Sequence, residues 1–407
     1  MIRYNNRDSQ LVTYVVPLAN VGAGLTWSGL PLLLSKETDD FGNVFILFIS
    51  SIIAGAVFTL LGGAIADRYK RKNFIVTFLA IDTLLTLSLA IWGTKDTLVL
   101  FYAVSFSSAL IGSITGSAII VWIKDILSQT SDSLPRSMAT RGLWNVISKS
   151  LGFAAGPIVY SYLKFDALFI DAIFSIIPAI SLVFVNDLVK KSAEPVKWHG
   201  GYSELLDSKF WTDERQLVLS LFAVTAAYTV PTVIISYGIL LQRYGVGSIE
   251  ASTFWGLASA GSIASHFGMT RRVSDFLSSF HRLFFGHVVI AVAFAGLWFA
   301  SSPIIFAFFF ILFTLANPLM ANALDVEVYE KCDAAFRGRF NAVCFLADDL
   351  VGAAVLAVTK HLMDIGKADL FYLWSIPLMF LAILLVARSR QMLSKNASIQ
   401  EVGIGHQ

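Results

Sequence analysis

The sequence predicts an all-α membrane protein of twelve transmembrane helices, arranged as two six-helix bundles. Three observations carry that prediction. The 407 residues are 56% hydrophobic and 14% charged, with a mean hydropathy of +0.70; soluble domains average about 45–50% apolar and about 25% charged. Long charge-free runs recur along the chain, and Lys and Arg gather on alternate loops. This balance excludes an ordinary soluble enzyme, a disordered chain and a nucleic-acid binder. The 33 Phe, 9 Trp and 12 Tyr suit a chain whose solvent is lipid. Two cysteines, Cys332 and Cys344, make no disulfide framework.

A helix needs about 20 mostly apolar residues to cross the hydrocarbon core. Leu11–Ser35 and Phe41–Ala66 meet that length without a charge. Asn73–Thr94 follows, interrupted by Asp82, and then Thr97–Ile123. Gly142–Leu163 carries Lys149, and Ala167–Asn186 carries Asp171. After a polar stretch, Gln216–Gln242 and Ala251–Thr270 are uncharged. Leu283–Leu324 is too long for one span, and Ser301-Ser302-Pro303 divides it. Phe340–Thr359 holds Asp348 and Asp349, and Leu370–Ala387 closes the series. The runs lack the alternation of a membrane barrel, and backbone in lipid must satisfy its own hydrogen bonds, so each is a helix. Leu11–Ser35 is too long, and too soon followed by another span, to be a cleaved signal peptide.

Orientation follows from the basic residues. With the N-terminus in the cytoplasm, the inner segments hold 23 of the 30 Lys and Arg, and the outer loops hold 6. Both termini then lie in the cytoplasm. The expected domains are an N-terminal bundle, 1–186, a cytoplasmic linker, 187–215, and a C-terminal bundle with its tail, 216–407. Tyr202 to Trp211 in the linker has the composition of a short helix lying on the membrane surface.

After the second span the chain reads Gly62-Gly63-Ala64-Ile65-Ala66-Asp67-Arg68-Tyr69-Lys70-Arg71-Lys72. Small residues let a neighbouring helix pack closely, and the basic cluster anchors the loop on the inner side. This loop resembles the signature between helices 2 and 3 of the major facilitator superfamily, Gly-x-x-x-Asp-Arg-x-x-Arg-Lys. Gly63, Asp67, Arg68, Arg71 and Lys72 match it, and the resemblance implies that they steady one gated state. Gly261-Ser262-Ile263-Ala264-Ser265-His266, followed by Arg271-Arg272, is a worn copy in the second half, with Ser265 in place of the acid. The resemblance implies a twelve-helix fold with a substrate site between the halves near the bilayer midplane.

Helix 5 carries Gly152-Phe153-Ala154-Ala155-Gly156-Pro157. Gly152 and Gly156 lie about one turn apart on a smooth packing face, and Pro157 permits a bend. This resembles the helix-5 motif of exporters in the superfamily, although Tyr160-Ser161 stands where the trailing glycines are usual. Helix 4 lacks the intramembrane Arg common in proton-driven members, which leaves proton coupling open. Helix 6 opens Ile170-Asp171-Ala172-Ile173-Phe174-Ser175, which resembles the macrolide-efflux and siderophore-exporter branch.

Charges within spans are expensive and so are candidates by default. Asp82 lies midway along helix 3 and reads either as an interhelical hydrogen bond or as a coupling group. Arg141, Asn145 and Lys149 share one face of helix 5; Lys149 either snorkels to the inner surface or faces a wet cavity. Asp171 reads as packing or capping. Asp348 and Asp349 point about 100° apart, so at least one reaches an interface or the cavity. Close carboxylates raise each other's proton affinity, which is the chemistry of a proton carrier; alternatively, one pairs with a base such as Lys149 and holds the halves together. His266 and His287 are lone histidines. In the fold resembled, helices 1, 4, 7 and 10 line the cavity; Tyr14, Asn20, Trp27, Tyr228 and Asn317 would then make it amphipathic and aromatic.

The combined reading is a secondary transporter of the cell inner membrane. It exports an amphipathic small molecule, drug-like or siderophore-like, by proton-coupled alternating access, and acts as a monomer. The alternatives are an importer of a metal chelate, peptide or lipid precursor on the same fold, and a transport-dead receptor or scaffold. The six His are scattered, so neither an enzyme site nor a metal centre is expected. No cofactor is expected, and no Gly-x-x-x-x-Gly-Lys-Ser/Thr phosphate loop occurs.

Overall fold

The computed structural model describes residues 6–38, 42–68, 71–94, 96–129, 134–185, 207, 209–269, 278–331 and 337–404. These residues form twelve long helical stretches, with no strand among them. Helix α1, residues 6–38, is assembled from Asn6–Gln10, a wide π turn at Leu11–Val15, a tight 3-10 turn at Val16–Leu18 and the regular helix Ala19–Thr38. Pro17 has no N–H to give to the preceding turn, so the helix widens before it and tightens around it. Then come α2 (Gly42–Arg68), α3 (Arg71–Trp92), α4 (Leu98–Gln129), α5 (Leu134–Leu163) and α6 (Ala167–Val183). The second series is α7 (Asp213–Tyr244), α8 (Ser248–Ala264, running into a π turn at Ser265–Met269), α9 (Ser279–Phe299), α10 (Pro303–Lys331), α11 (Arg337–Asp364) and α12 (Leu370–Ile404). Among the described residues seven stretches, one of them spanning both α5 and α6, are long and apolar enough to cross a membrane by length and composition alone.

Local chemistry sets the breaks. Between α9 and α10, Ala300 turns extended. The Ser302 hydroxyl then accepts from the Ile305 N–H at 3.3 Å, which caps α10. Pro303 occupies the first helical position, where a missing N–H costs nothing. At the end of α11, Gly366 adopts a positive φ of 70° that a side chain would resist. The Lys367 N–H reaches back to the Leu362 carbonyl at 2.7 Å.

The chain divides into two compact units: Met1–Lys197 with Tyr237–Ile263, and Trp198–Ser236 with Ala264–Gln407. The first cut, after Lys197, lies outside the described residues. The other two assign one end of α7 and nearly all of α8 to the first unit. Two contacts tie them there. The Tyr237 hydroxyl donates to the Ser28 carbonyl of α1 at 2.8 Å. Trp255 of α8 stacks on Phe153 of α5, with ring centroids 5.0 Å apart and planes 12° apart. Residues 186–206 and 208, which hold most of the expected surface helix, lie outside the described residues.

In the first unit α1 packs on α5 and α6, α2 on α4, and α3 on α6 and α4. An apolar cluster of Val12, Phe74, Ile75, Trp122, Ile126 and Leu182 draws α1, α3, α4 and α6 together. In the second unit α9 packs on α10 and α12, and Phe222 of α7 meets Phe345 of α11 edge-on at 6.4 Å. The pairing α3–α6 thus recurs as α9–α12, as a structural repeat would have it. Phe294, Phe313, Phe371 and Tyr372 form the aromatic core of the second unit.

The tightest approach in the first unit is between α1 and α5. A Cβ on Gly24 would lie 2.6 Å from the Lys149 carbonyl oxygen. One on Gly152 would lie 2.9 Å from the Gly24 Cα, and one on Gly156 would lie 2.5 Å from the Leu25 carbonyl oxygen. The expected packing face is therefore present, and α5 runs on unbroken through Pro157. Replacing Gly156 by Leu is expected to force the two backbones apart, at a cost of about 1–3 kcal/mol. Gly112 of α4 has open space around it, so Gly112→Ala is expected to leave stability unchanged or slightly raised. Melting temperatures of the two purified variants check both.

Candidate functional site

The Gly24–Gly152 contact brings the polar faces of α1 and α5 together. Asn20 Nδ2 donates to Asn145 Oδ1 at 3.2 Å. Tyr14 sets its edge against Trp144, with centroids 5.7 Å apart, and both rings are largely exposed, at 46% and 39%. Asn145, Lys149 and Phe153 follow one another at four-residue spacing and so lie along one stripe of α5. One end of the stripe bonds α1 and the other stacks on α8, so the stripe faces inward within this unit.

Lys149 lies between those two contacts. Its ammonium is 5.5 Å from the centroid of the Phe153 ring, yet the side chain is exposed. Among the described residues no carboxylate bonds to it. It therefore sits in an open recess of the first unit, turned toward the ring one turn further along rather than toward Arg141. An ammonium over an aromatic face gains about 0.5–2 kcal/mol, whereas Lys at the centre of a span costs about 2.5–3.5 kcal/mol. The ring alone does not balance that cost.

A second polar group is closed. The Thr26 hydroxyl donates to Asp171 Oδ2 at 2.5 Å, and Tyr160 OH lies 2.9 Å from the same Thr26 oxygen. With the Thr26 proton committed to the carboxylate, Tyr160 is the donor, which gives a directed chain Tyr160 → Thr26 → Asp171 across α5, α1 and α6. Gly22 is needed beside it, because a Cβ there would strike the Asp171 carboxyl group. Sequence reading placed Asp171 in packing but missed Tyr160, whose signal was its position one turn after Gly156.

The Asp82 carboxylate lies near Ser108 of α4, and its Oδ1 has no partner among the described residues. Trp27 is 42% exposed and packs on Phe48 of α2 at 4.6 Å. Lys72 Nζ donates to the Val183 carbonyl at 2.6 Å, which ties the start of α3 to the C-terminus of α6. Gly63, Asp67 and Arg68 lie at the end of α2 and Arg71 begins α3; their side chains lie outside the described residues, as do Arg271 and Arg272.

In the second unit, the structure does not put Tyr228 on a cavity wall. It is fully buried, its hydroxyl donates to the Met320 sulfur at 2.9 Å, and its ring meets His287 and Phe294 edge-on at 6.2 and 5.8 Å. Its large apolar face explains the burial. Asp348 and Asp349 are half-buried on α11, with Asp348 within electrostatic reach of Tyr228. Asn317 is half-buried on α10. His287 is buried, with Nδ1 2.7 Å from the Leu283 carbonyl oxygen and Nε2 unpaired. Ser265, where the repeated motif lacks its acid, is buried and opens the π turn of α8.

The profile of the Major Facilitator Superfamily matches residues 17–357. No curated protein matches the chain. Among solved structures, the nucleoside transporter NupG (D323A mutant) superposes with a TM-score of 0.72 at 14% identity, covering 94% of this chain and 99% of that one. The human organic anion transporter MFSD10 (TETRAN) gives 0.69 at 15% identity, with 94% and 99% covered. A bacterial homologue of the iron transporter ferroportin, in its outward-facing state, gives 0.67 at 15% identity, with 95% and 99% covered.

The directed chain makes a non-additive prediction. Thr26→Val strips the buried carboxyl group of its donor and leaves the Tyr160 hydroxyl unpaired, so it is expected to cost about 1–3 kcal/mol. Adding Tyr160→Phe removes that stranded hydroxyl and is expected to cost nothing more. A double-mutant cycle on thermal unfolding reads the difference.

Proposed function

Because the chain belongs to the Major Facilitator Superfamily, we propose that it is a secondary active transporter of the cell inner membrane that exports an amphipathic small molecule by proton-coupled alternating access. The observation that carries this reading is the recess of the first unit. There Tyr14, Trp144 and Lys149 are exposed beside the Asn20–Asn145 pair. Aromatic faces next to a few oriented polar groups suit a molecule with both an apolar body and a polar head. They suit a sugar or a free phosphate poorly.

The solved neighbours are described as a nucleoside transporter, an organic anion transporter and a bacterial homologue of an iron transporter. At 14–15% identity they support the fold and leave the substrate to this chain's own residues. Export is supported by Gly152, Gly156 and Pro157 on α5. Proton coupling is supported by Asp348 and Asp349, adjacent half-buried carboxylates on one span; Asp82, with an oxygen lacking a partner, is a further candidate. Both termini and the linker 187–215 belong on the cytoplasmic side, where Asp67 and the basic loop steady one gated state. The bundles 1–186 and 216–407 then act as the two rocking halves of a monomer that needs no cofactor.

Flux in inside-out vesicles energised with a proton gradient tests this, with a panel of lipophilic drugs and siderophores. Uptake is expected, and it is expected to collapse with an uncoupler and in the Asp348→Asn/Asp349→Asn double variant. Uptake that survives both returns the two acids to a structural role. Uptake confined to right-side-out vesicles assigns the chain to import.

A further inference from the structure

We propose that the recess around Lys149 binds the anionic head of an amphipathic organic monoanion, a carboxylate or sulfonate carried on a flat apolar body. The inference deepens the transport reading and rests on it. Three features of the first unit converge. The first is an ammonium at the middle of a span, with no carboxylate bonded to it among the described residues and with its side chain exposed. A protein that keeps a cation there without an internal counter-ion leaves that place to water or to a ligand.

The second is the amide pair one turn away. Asn20 Nδ2 donates to Asn145 Oδ1, so the amide hydrogens of Asn145 remain for another acceptor. They lie on the same stripe as Lys149, which gives one charged and one neutral donor within a single turn of helix. That set matches the two oxygens of a carboxylate, or two of a sulfonate. An ammonium ligand would be repelled, and a neutral ligand would leave the cation unanswered.

The third is the wall on the far side of Lys149. Phe153 lies stacked on Trp255, and Trp255 is braced by the edge of Tyr237 at 5.3 Å. This wall is apolar and held from three helices. Trp255 is buried behind Phe153, so the apolar surface that an anionic head at Lys149 finds within one helical turn is the half-buried Phe153 ring, and a purely hydrophilic anion would gain nothing from it.

Calorimetric titration of the full-length protein in nanodiscs tests the proposal, with empty nanodiscs as the blank. The probes are 2-naphthoate and 2-naphthalenesulfonate, their neutral amides, and 2-naphthylmethylamine. Laurate and its amide form a second pair, which separates a lipid-derived acyl anion from a flat soluble one. The anions are expected to bind at least about tenfold more tightly than their amides, the naphthyl pair more tightly than the lauryl pair, and the amine most weakly. Lys149→Gln is expected to erase the preference for anions while leaving the amides' affinity within about twofold. Lys149→Arg is expected to restore most of it. Unchanged amide binding also shows that the Gln variant is folded.

No anion binding more tightly than its amide overturns the proposal, as does a preference that survives Lys149→Gln. Stronger binding of laurate than of naphthoate rejects the flat-body part. The titration needs no gradient, so it is separate from the flux experiment. Anion-selective binding without proton-driven uptake rejects the transport reading alone. Proton-driven uptake of neutral or cationic compounds without anion preference rejects this inference alone.

Discussion

The approach of α1 to α5 across Gly24, Gly152 and Gly156 governs the polar architecture of the first unit. In lipid, helices gain little from hiding apolar side chains from one another, so close backbone contact and hydrogen bonds between helices decide what packs where. A glycine at each crossing point brings the two axes near enough for short side chains to meet. Asn20 reaches Asn145 and Thr26 reaches Tyr160 only at that spacing. Widening it would separate both pairs and leave buried polar groups in an apolar medium.

The same crossing divides two kinds of chemistry. Along the Asn145 stripe the groups are open and carry a cation with no carboxylate bonded to it among the described residues. A few residues further on, Tyr160, Thr26 and Asp171 are closed and complete. The open set has the character of a binding surface, because its hydrogen-bonding capacity is not used up internally. The closed set has the character of a fastener between three helices.

Much of the fold was legible because its signals are local. Ser301-Ser302-Pro303 marked the break between α9 and α10 through a cap and a missing N–H, both confined to five residues. The Gly152–Gly156 spacing announced a packing face. The partners of that face were not legible, because Thr26 meets Asp171 across 145 positions of sequence and Tyr160 across 134. Tyr228 was misplaced for a similar reason. Helix period assigns it to a face, but the choice between cavity and core depends on Met320, Phe294 and His287, which arrive from other helices. Lys72 was read as part of a basic loop motif, and nothing in that loop hinted that its ammonium meets the carbonyl of Val183.

That bond has a mechanical side. α6 is the last described helix of the first series, and the chain beyond it runs into the long polar stretch. A tug on that stretch first meets the C-terminus of α6. Because Lys72 holds that terminus, the load passes to the first turn of α3. The start of α3 and the end of α6 thus share one anchor point, where the Lys72 ammonium adds to the apolar contacts of Phe74, Ile75 and Leu182.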